Sequence, residues 1–451
     1  LEGKSSLKEK QMGMTNSTIK PPTFYEAFLF WLKLGFISFG GPAGQIGIMH
    51  AELVERKRWI SEERFLHALN YCMILPGPEA QQLAIYVGWL LHRTWGGIVA
   101  GTLFVIPSFF ILTGLSWTYV NFGSVPVIAA LFYGLKAAVV AIVASAVIRI
   151  GKKALKNQVM LFLAATAFAG LYFLKIPFPV IIISAGIIGL VGGKLWPEKF
   201  HVIKGEGAGK EKAVISDHRP PSAHEAPSLY GTIRVVAVCL FLWMAPLVLL
   251  ALVAGTSSTL FQEGIFFSKA AMVTFGGAYS VLPYIAQAAV EKYHWLQPGQ
   301  MIDGLGLGET TPGPLIMVVT FVGYVGAWAK TAGLTAPVSA FLGGLTATYF
   351  TFLPCFLWIF AGAPFIERTR GNRGLTSALS AITAAVVGVV LNLTVYFGMQ
   401  VFSPRPGFFD GTAFVIAAVA FIGFLKFKWN ILVVILGSAF TGICYKLLFF
   451  S

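Results

Sequence analysis

The chain has 451 residues, of which 56% are hydrophobic and only 12% charged, and its formal net charge is +14. Soluble domains carry about 25% charged residues, so a water-surrounded globule is excluded, and a mean hydropathy of +0.75 makes lipid the natural solvent. The positive balance does not signal nucleic acid, because the basic residues fall mostly between apolar runs, as in the cytoplasmic loops of membrane proteins.

Residues 1–23 form a polar, basic tail without the apolar core of a signal peptide, and the tail is expected to be cytoplasmic. Six hydrophobic segments follow, at 24–50, 64–92, 95–119, 124–150, 157–174 and 176–195, and make a first membrane repeat over 24–195. The stretch 196–230 is rich in Lys, Gly, Glu and Pro and reads as a flexible cytoplasmic linker. One further span covers 231–254. A second repeat over 255–451 holds segments at 260–289, 301–329, 337–362, 375–400, 409–425 and 429–450. The runs are continuous rather than alternating, which favours helices over a barrel. The expected fold is an all-α polytopic membrane protein of about 13 hydrophobic segments. Cys72, Cys239, Cys355 and Cys444 stand alone in apolar runs, so no metal site or disulfide framework is expected.

The two halves are copies. Adding 236 to Lys33, Phe39-Gly40-Gly41, Glu55, Trp59 and Pro76-Gly77-Pro78 gives Lys269, Phe275-Gly276-Gly277, Glu291, Trp295 and Pro312-Gly313-Pro314. After an 11-residue insertion around 330–340 the offset is 247, which pairs Gly96-Gly97 with Gly343-Gly344 and Pro107 with Pro354. It also pairs Ala137-Ala138-Val139-Val140 with Ala384-Ala385-Val386-Val387. Six segments plus one linking span turn the second repeat upside down, with the N-terminus inside and the C-terminus outside. Basic residues support this arrangement: Arg149, Lys152, Lys153 and Lys156 mark one cytoplasmic loop, and Arg368, Arg370 and Arg373 mark another. Only the loop holding Arg56, Lys57 and Arg58 disagrees. It returns to the cytoplasm if segments 24–50 and 64–92 are re-entrant rather than spanning.

Four interruptions stand inside these segments: Phe39-Gly40-Gly41-Pro42, Leu75-Pro76-Gly77-Pro78, Phe275-Gly276-Gly277 and Thr311-Pro312-Gly313-Pro314. Gly and Pro also merely kink membrane helices, but four breaks in matched pairs point to a midplane site lined by freed backbone. A half-helix beginning after a break aims amides and the positive end of its dipole at the gap. Lys33, Lys136 and Lys269 lie within apolar runs, with Glu79 after one Pro-Gly-Pro and Glu309 before the other. Charges in such places mark sites or find partners, although Lys33 and Lys269 can also snorkel to an interface. Gln82, Thr310 and Thr311 are polar neighbours able to bond an oxyanion. Lysines together with helix N-termini suggest an anion. The glutamates would pair with the lysines or carry a coupled proton. No ATP-binding loop, redox cofactor signature or activated nucleophile accompanies them.

The motif Phe39-Gly40-Gly41-Pro42-Ala43-Gly44-Gln45, the stretch His50 to Trp59 and Leu75-Pro76-Gly77-Pro78-Glu79-Ala80-Gln81-Gln82 resemble the chromate ion transporter family in its long, two-domain form. Thr274-Phe275-Gly276-Gly277 and Thr310-Thr311-Pro312-Gly313-Pro314 carry the same resemblance. Ala278 departs from it by replacing the proline, and the second half lacks the glutamines after Pro314. The resemblance implies export of chromate across the inner membrane and chromate resistance, with no cofactor or metal. Its implied partners are the oxyanion, the bilayer and a coupled proton, with a homodimer as a further expectation. A carrier or channel for another anion such as sulfate uses the same groups; a membrane-bound reductase needs a redox group the sequence lacks. With re-entrant segments, a cysteine at Arg58 is labelled by an impermeant maleimide only from the cytoplasmic side; labelling from outside indicates spanning helices.

Overall fold

The computed structural model describes residues 21–39, 41–200, 214–215, 228–331, 333–365 and 373–449. Gly40, the side chains of Ala43 and Arg373, Arg368, Arg370 and most of the tail and linker lie outside these residues. The described chain is helical. In the first half, α1 (Phe24–Ile37), α2 (Gly41–His50) and α3 (Glu62–Cys72) are short. They lead into α4 (Glu79–Phe122), α5 (Pro126–Ala154), α6 (Gln158–Tyr172) and α7 (Phe178–Leu195). The linking helix is α8 (Leu229–Val253). The second half repeats the pattern with α9 (Thr259–Met272), α10 (Ala278–Gln287), α11 (Pro298–Thr310), α12 (Val318–Ala329) and α13 (Ala336–Gly362). It ends with α14 (Arg373–Phe402), α15 (Gly411–Lys426) and α16 (Ile431–Phe449). Seven of the described helices are long and apolar enough to cross a membrane. At 1.5 Å per residue α1 reaches only about 21 Å, short of a hydrocarbon core of about 30 Å.

Helix α4 reverses. His92 and Arg93 leave helical geometry, Arg93 with φ 55°, and Gly88 and Gly96 back onto each other's carbonyls. Residues eight apart in one straight helix would be about 12 Å apart, so arms 79–91 and 94–122 form an antiparallel hairpin. The separation expected between 64–92 and 95–119 falls at this turn. The second repeat builds the same crossing from Gly323 and Gly343. Because Gly88 matches Gly323 at an offset of 235, one residue is missing from the second repeat before this point, and the insertion after it is 12 residues rather than 11. The cause is local. After Pro314 the chain makes a 3-10 turn, Leu315–Met317, where the first repeat starts an α-helix at Glu79. Three 3-10 residues at about 2.0 Å rise cover the length of four α residues at about 1.5 Å.

Backbone detail is duplicated as well. Left-handed φ values recur at Gly41 and Gly277, at Arg58 and His294, and at Gly77 and Gly313. π-helical turns Ala51–Arg56 and Ala288–Lys292 occupy matching places. After each, a tryptophan N–H returns to the helix, Trp59 to Leu53 O at 2.8 Å and Trp295 to Ala289 O at 2.7 Å. Two described linker residues clip onto the basic loop. Val214 N–H reaches Arg58 O at 3.0 Å, Ile215 N–H reaches Trp59 O at 3.1 Å, and Ser61 N–H reaches Ile215 O at 2.8 Å. The loop and this part of the linker therefore share one face of the molecule.

The halves meet through their interruptions. Gly77 donates its N–H to Thr274 O at 2.7 Å, and Gly313 donates to Ser38 O at 2.7 Å. The two bonds are copies, because 236 relates Ser38 to Thr274 and Gly77 to Gly313. Helix α14, which is 72% buried over its apolar window, forms the centre, and α8, at 17%, lies on the rim. Neither glycine at the crossing tolerates a side chain. Gly77 has φ 120° and Gly313 φ 97°, and a Cβ on Gly77 would sit 2.8 Å from Cys355 Sγ. Gly77→Ala is expected to lower the melting temperature of the detergent-solubilised protein, the left-handed backbone alone costing about 1–2 kcal/mol. Adding Cys355→Ala removes one of two close contacts, the other being Gln82 Nε2 at 2.9 Å, and restores part of the loss; no recovery means that backbone strain and the Gln82 contact account for all of it.

Candidate functional site

Four helices begin at the crossing, and their starts are set by the glycines and prolines read from sequence. α2 starts at Gly41 and α10 follows Gly277. α4 follows Pro78, and the 3-10 turn into α12 follows Pro314. Gly277, Pro78 and Pro314 give no side-chain cap. Elsewhere α1, α3, α6, α8 and α9 are capped by Thr23, Ser61, Asn157, Ser228 and Ser258, while α5, α7 and α13 also begin without a side-chain cap. First-turn amides without a cap are donors for an anion. The breaks also interlock. A Cβ on Gly277 would lie 3.9 Å from both Pro42 Cγ and Glu79 Oε1, so the first, second and third breaks share a corner. Gly276 faces Thr383 and Val386 of α14, each 3.9 Å from a Cβ placed there.

Side chains from one repeat brace the breaks of the other. Gln45, buried on α2, donates through Nε2 to Gly313 O. Ser108 of α4 donates to Pro312 O. At the equivalent position by the 247 offset, Cys355 of α13 lies beside Gly77 and 3.8 Å from Gln82 Nε2. Gln82 also donates to Pro76 O at 2.8 Å. The side-chain carbonyls of Gln45 and Gln82 are buried without partners, leaving two acceptors at the crossing. Phe39 and Gly44 flank the first break, where a Cβ on Gly44 would meet Phe39 O at 2.7 Å.

Glu309, 5% exposed, accepts from Tyr279 Oη at 2.6 Å. The Arg149 guanidinium stands 5.9 Å from the Tyr279 ring, and Lys153 lies one turn further along α5. Arg149 and Lys153 are exposed near the end of α5. Sequence reasoning took both only as loop-side charge. Their positions by the offset of 247 hold Tyr396 and Gln400, so the second repeat has no cations there. That asymmetry was available in the aligned repeats. Tyr279, Ser108 and Cys355 had no comparable signal, since only the packing of the halves brings them to the breaks.

The lysines lie elsewhere. Lys136 pairs with Asp303 at 3.3 Å, and Tyr119 Oη donates to the same carboxylate at 2.9 Å. Asp303 stands six residues before Glu309, about 9 Å along α11. Lys33 and Lys269 are exposed. Lys33 lines a groove of about 550 Å³ with Glu26, Glu52, Arg56 and Lys57. The hydroxyls of Thr310 and Thr311 donate to Leu307 O and Gly308 O of their own helix, so they can offer a ligand only lone pairs. Tyr279→Phe removes the donor from a buried carboxyl. A loss of about 1–3 kcal/mol is expected in thermal melting; an unchanged melt would show that Glu309 finds another donor.

Comparison with known proteins agrees with this architecture. The family model described as "Chromate transporter" matches residues 25–190 and 261–443, one block for each repeat. The chain is 32% identical over 441 residues to a chromate transport protein of Pseudomonas aeruginosa, covering 96% of this chain and 95% of that one. It is 30% identical to a chromate transport protein of Cupriavidus metallidurans, covering 94% of each. A shorter uncharacterized transporter of Bacillus subtilis is 33% identical over 159 residues, 79% of its own length and 34% of this chain. No solved structure matches. With its paired breaks, its multi-pass helices and these matches, the chain belongs to the chromate transporter family.

Proposed function

We propose that the protein exports chromate from the cytoplasm by alternating access and so confers chromate resistance. The observation that carries this reading is the meeting of four helix breaks beside Glu79 and Glu309, with the Arg149 guanidinium 5.9 Å from the Tyr279 ring. The oxyanion binds the first-turn amides of Gly41, Ala43 and Gly44 and of Ala278 and Tyr279, with those after Pro78 and Pro314 closing the ring. Arg149 and Lys153 supply charge at the mouth. In the empty carrier Glu79 and Glu309 balance these cations, and the anion replaces them when it binds. Lys33, Lys136 and Lys269 set the wider field. The N-terminus and the end of α5 lie in the cytoplasm and the C-terminus outside, so the cations face the compartment from which the anion leaves.

No ATP is needed. An inside-negative potential of about 100 mV is worth about 2.3 kcal/mol per charge. For a dianion that is about 4.6 kcal/mol, or about three decades of concentration. The potential, with or without a proton gradient, therefore suffices as the drive.

The test is uptake of labelled chromate into everted vesicles, with and without an imposed potential and with excess sulfate as competitor. Potential-driven uptake of unchanged Cr(VI) that sulfate barely reduces is the expected result. Arg149→Gln with Lys153→Gln is expected to lower it about tenfold or more, as for loss of a charged hydrogen bond of about 1.5–3 kcal/mol. Lys33→Ala with Lys269→Ala is expected to lower it less. Uptake of sulfate but not chromate would keep the site and overturn the substrate; formation of Cr(III) would favour a reductase.

A further inference from the structure

Glu263 lies on α9, one turn inside its N-terminus, and is 0% exposed. Neither carboxyl oxygen has a hydrogen-bond partner among the described residues. The group is wedged where α12 and α13 cross. A Cβ on Gly326 would lie 3.2 Å from Oε1, and one on Gly343 would lie 3.1 Å from Oε2, so the pocket exists only because both positions are glycine. Trp295, whose Cβ packs against Gly326, buries its indole N–H without an acceptor, and Ser339, one turn before Gly343, buries an unpartnered hydroxyl.

Among the described residues no countercharge acts on Glu263. Residues 235–253 of α8, all of α12 and all of α13 contain no charged residue. The titratable groups on these helices are Cys239, Tyr324, Tyr349 and Cys355, and none acts on the charge of Glu263. Lys330, just beyond α12, turns its ammonium to Tyr293 O at 2.7 Å, and Lys269 on α9 itself is exposed. Packing does not require a carboxyl here either. The matching residue of the first repeat is Ala27, buried at 3%. An unpaired carboxylate in a hydrocarbon interior is too costly to stay charged, so it takes a proton.

We infer that Glu263 is a proton-binding site, reached from the external side, whose loading and release couple a proton to anion movement in the opposite direction. This assignment rests on the transport reading above. The site belongs to the second repeat alone, as Arg149 and Lys153 belong to the first, so the proton and the cations at the mouth of the anion site sit in different halves.

The full chain and its Glu263→Ala and Glu263→Gln variants would be reconstituted in vesicles. Chromate exchange at equal pH requires only the anion site and is expected to persist in both variants, the alanine being what the first repeat carries. With the potential clamped, one pH unit of gradient is expected to raise accumulation about tenfold in the unmodified protein, the factor one proton supplies, and not in the variants. A gradient response that survives both substitutions, an unmodified protein indifferent to the gradient, or loss of exchange together with the response overturns the assignment. If the protein carries no chromate at all, the transport reading fails by itself, and infrared difference spectra against Glu263→Gln decide for the proton site. A protonated-carboxyl band at neutral pH that the variant lacks supports it, and its absence overturns it.

Discussion

Two backbone hydrogen bonds hold the architecture together, Gly77 to Thr274 and Gly313 to Ser38. Each breaks a helix in one repeat and satisfies the freed carbonyl with an amide from the other. In lipid an unsatisfied peptide group costs several kcal/mol, so neither repeat can keep its interruption unless the other is present. The break and the dimer-like packing of the halves are therefore one feature. The glycines follow from it, since an amide can turn across the interface only where the backbone adopts positive φ.

Much of this was legible in the chain. The offset of 236 exposed the duplication, and the same offset relates the two hydrogen bonds, the π-helical turns and the left-handed residues at Arg58 and His294. Gly-Gly and Pro-Gly-Pro announced the breaks because no other residue types so plainly interrupt a membrane helix. Less visible was what fills the space between repeats. Arg149 looks like a loop charge because its segment is apolar up to that point, yet the α5 helix continues past it to Ala154. The partner of Lys136, Asp303, is 167 positions away in the other repeat, so the pair has no local signal in the chain. The 3-10 turn at Leu315–Met317 hid one missing residue inside an otherwise clean alignment.

The repeats have also diverged in chemistry while preserving shape. Cations gather at the end of α5 and not at its counterpart, and a buried carboxyl occupies α9 where α1 has alanine. Helix crossings at Gly88–Gly96 and Gly323–Gly343 stay superposable in kind because a backbone-to-backbone approach leaves no room for variation. Side chains that line the gap were free to change.

Ser108 and Cys355 occupy equivalent stations over the two Pro-Gly-Pro turns, yet the first donates a hydroxyl hydrogen bond to Pro312 O and the second offers only a thiol at 3.8 Å from Gln82. In a machine made of two identical inverted parts, the conformations open to either side would be mirror exchanges of one another and equal in free energy. A hydroxyl bond of about 1 kcal/mol on one side only tilts that balance. If the protein alternates access as proposed, the empty carrier is expected to rest in one orientation, populated several-fold over the other, before any ion or voltage acts on it.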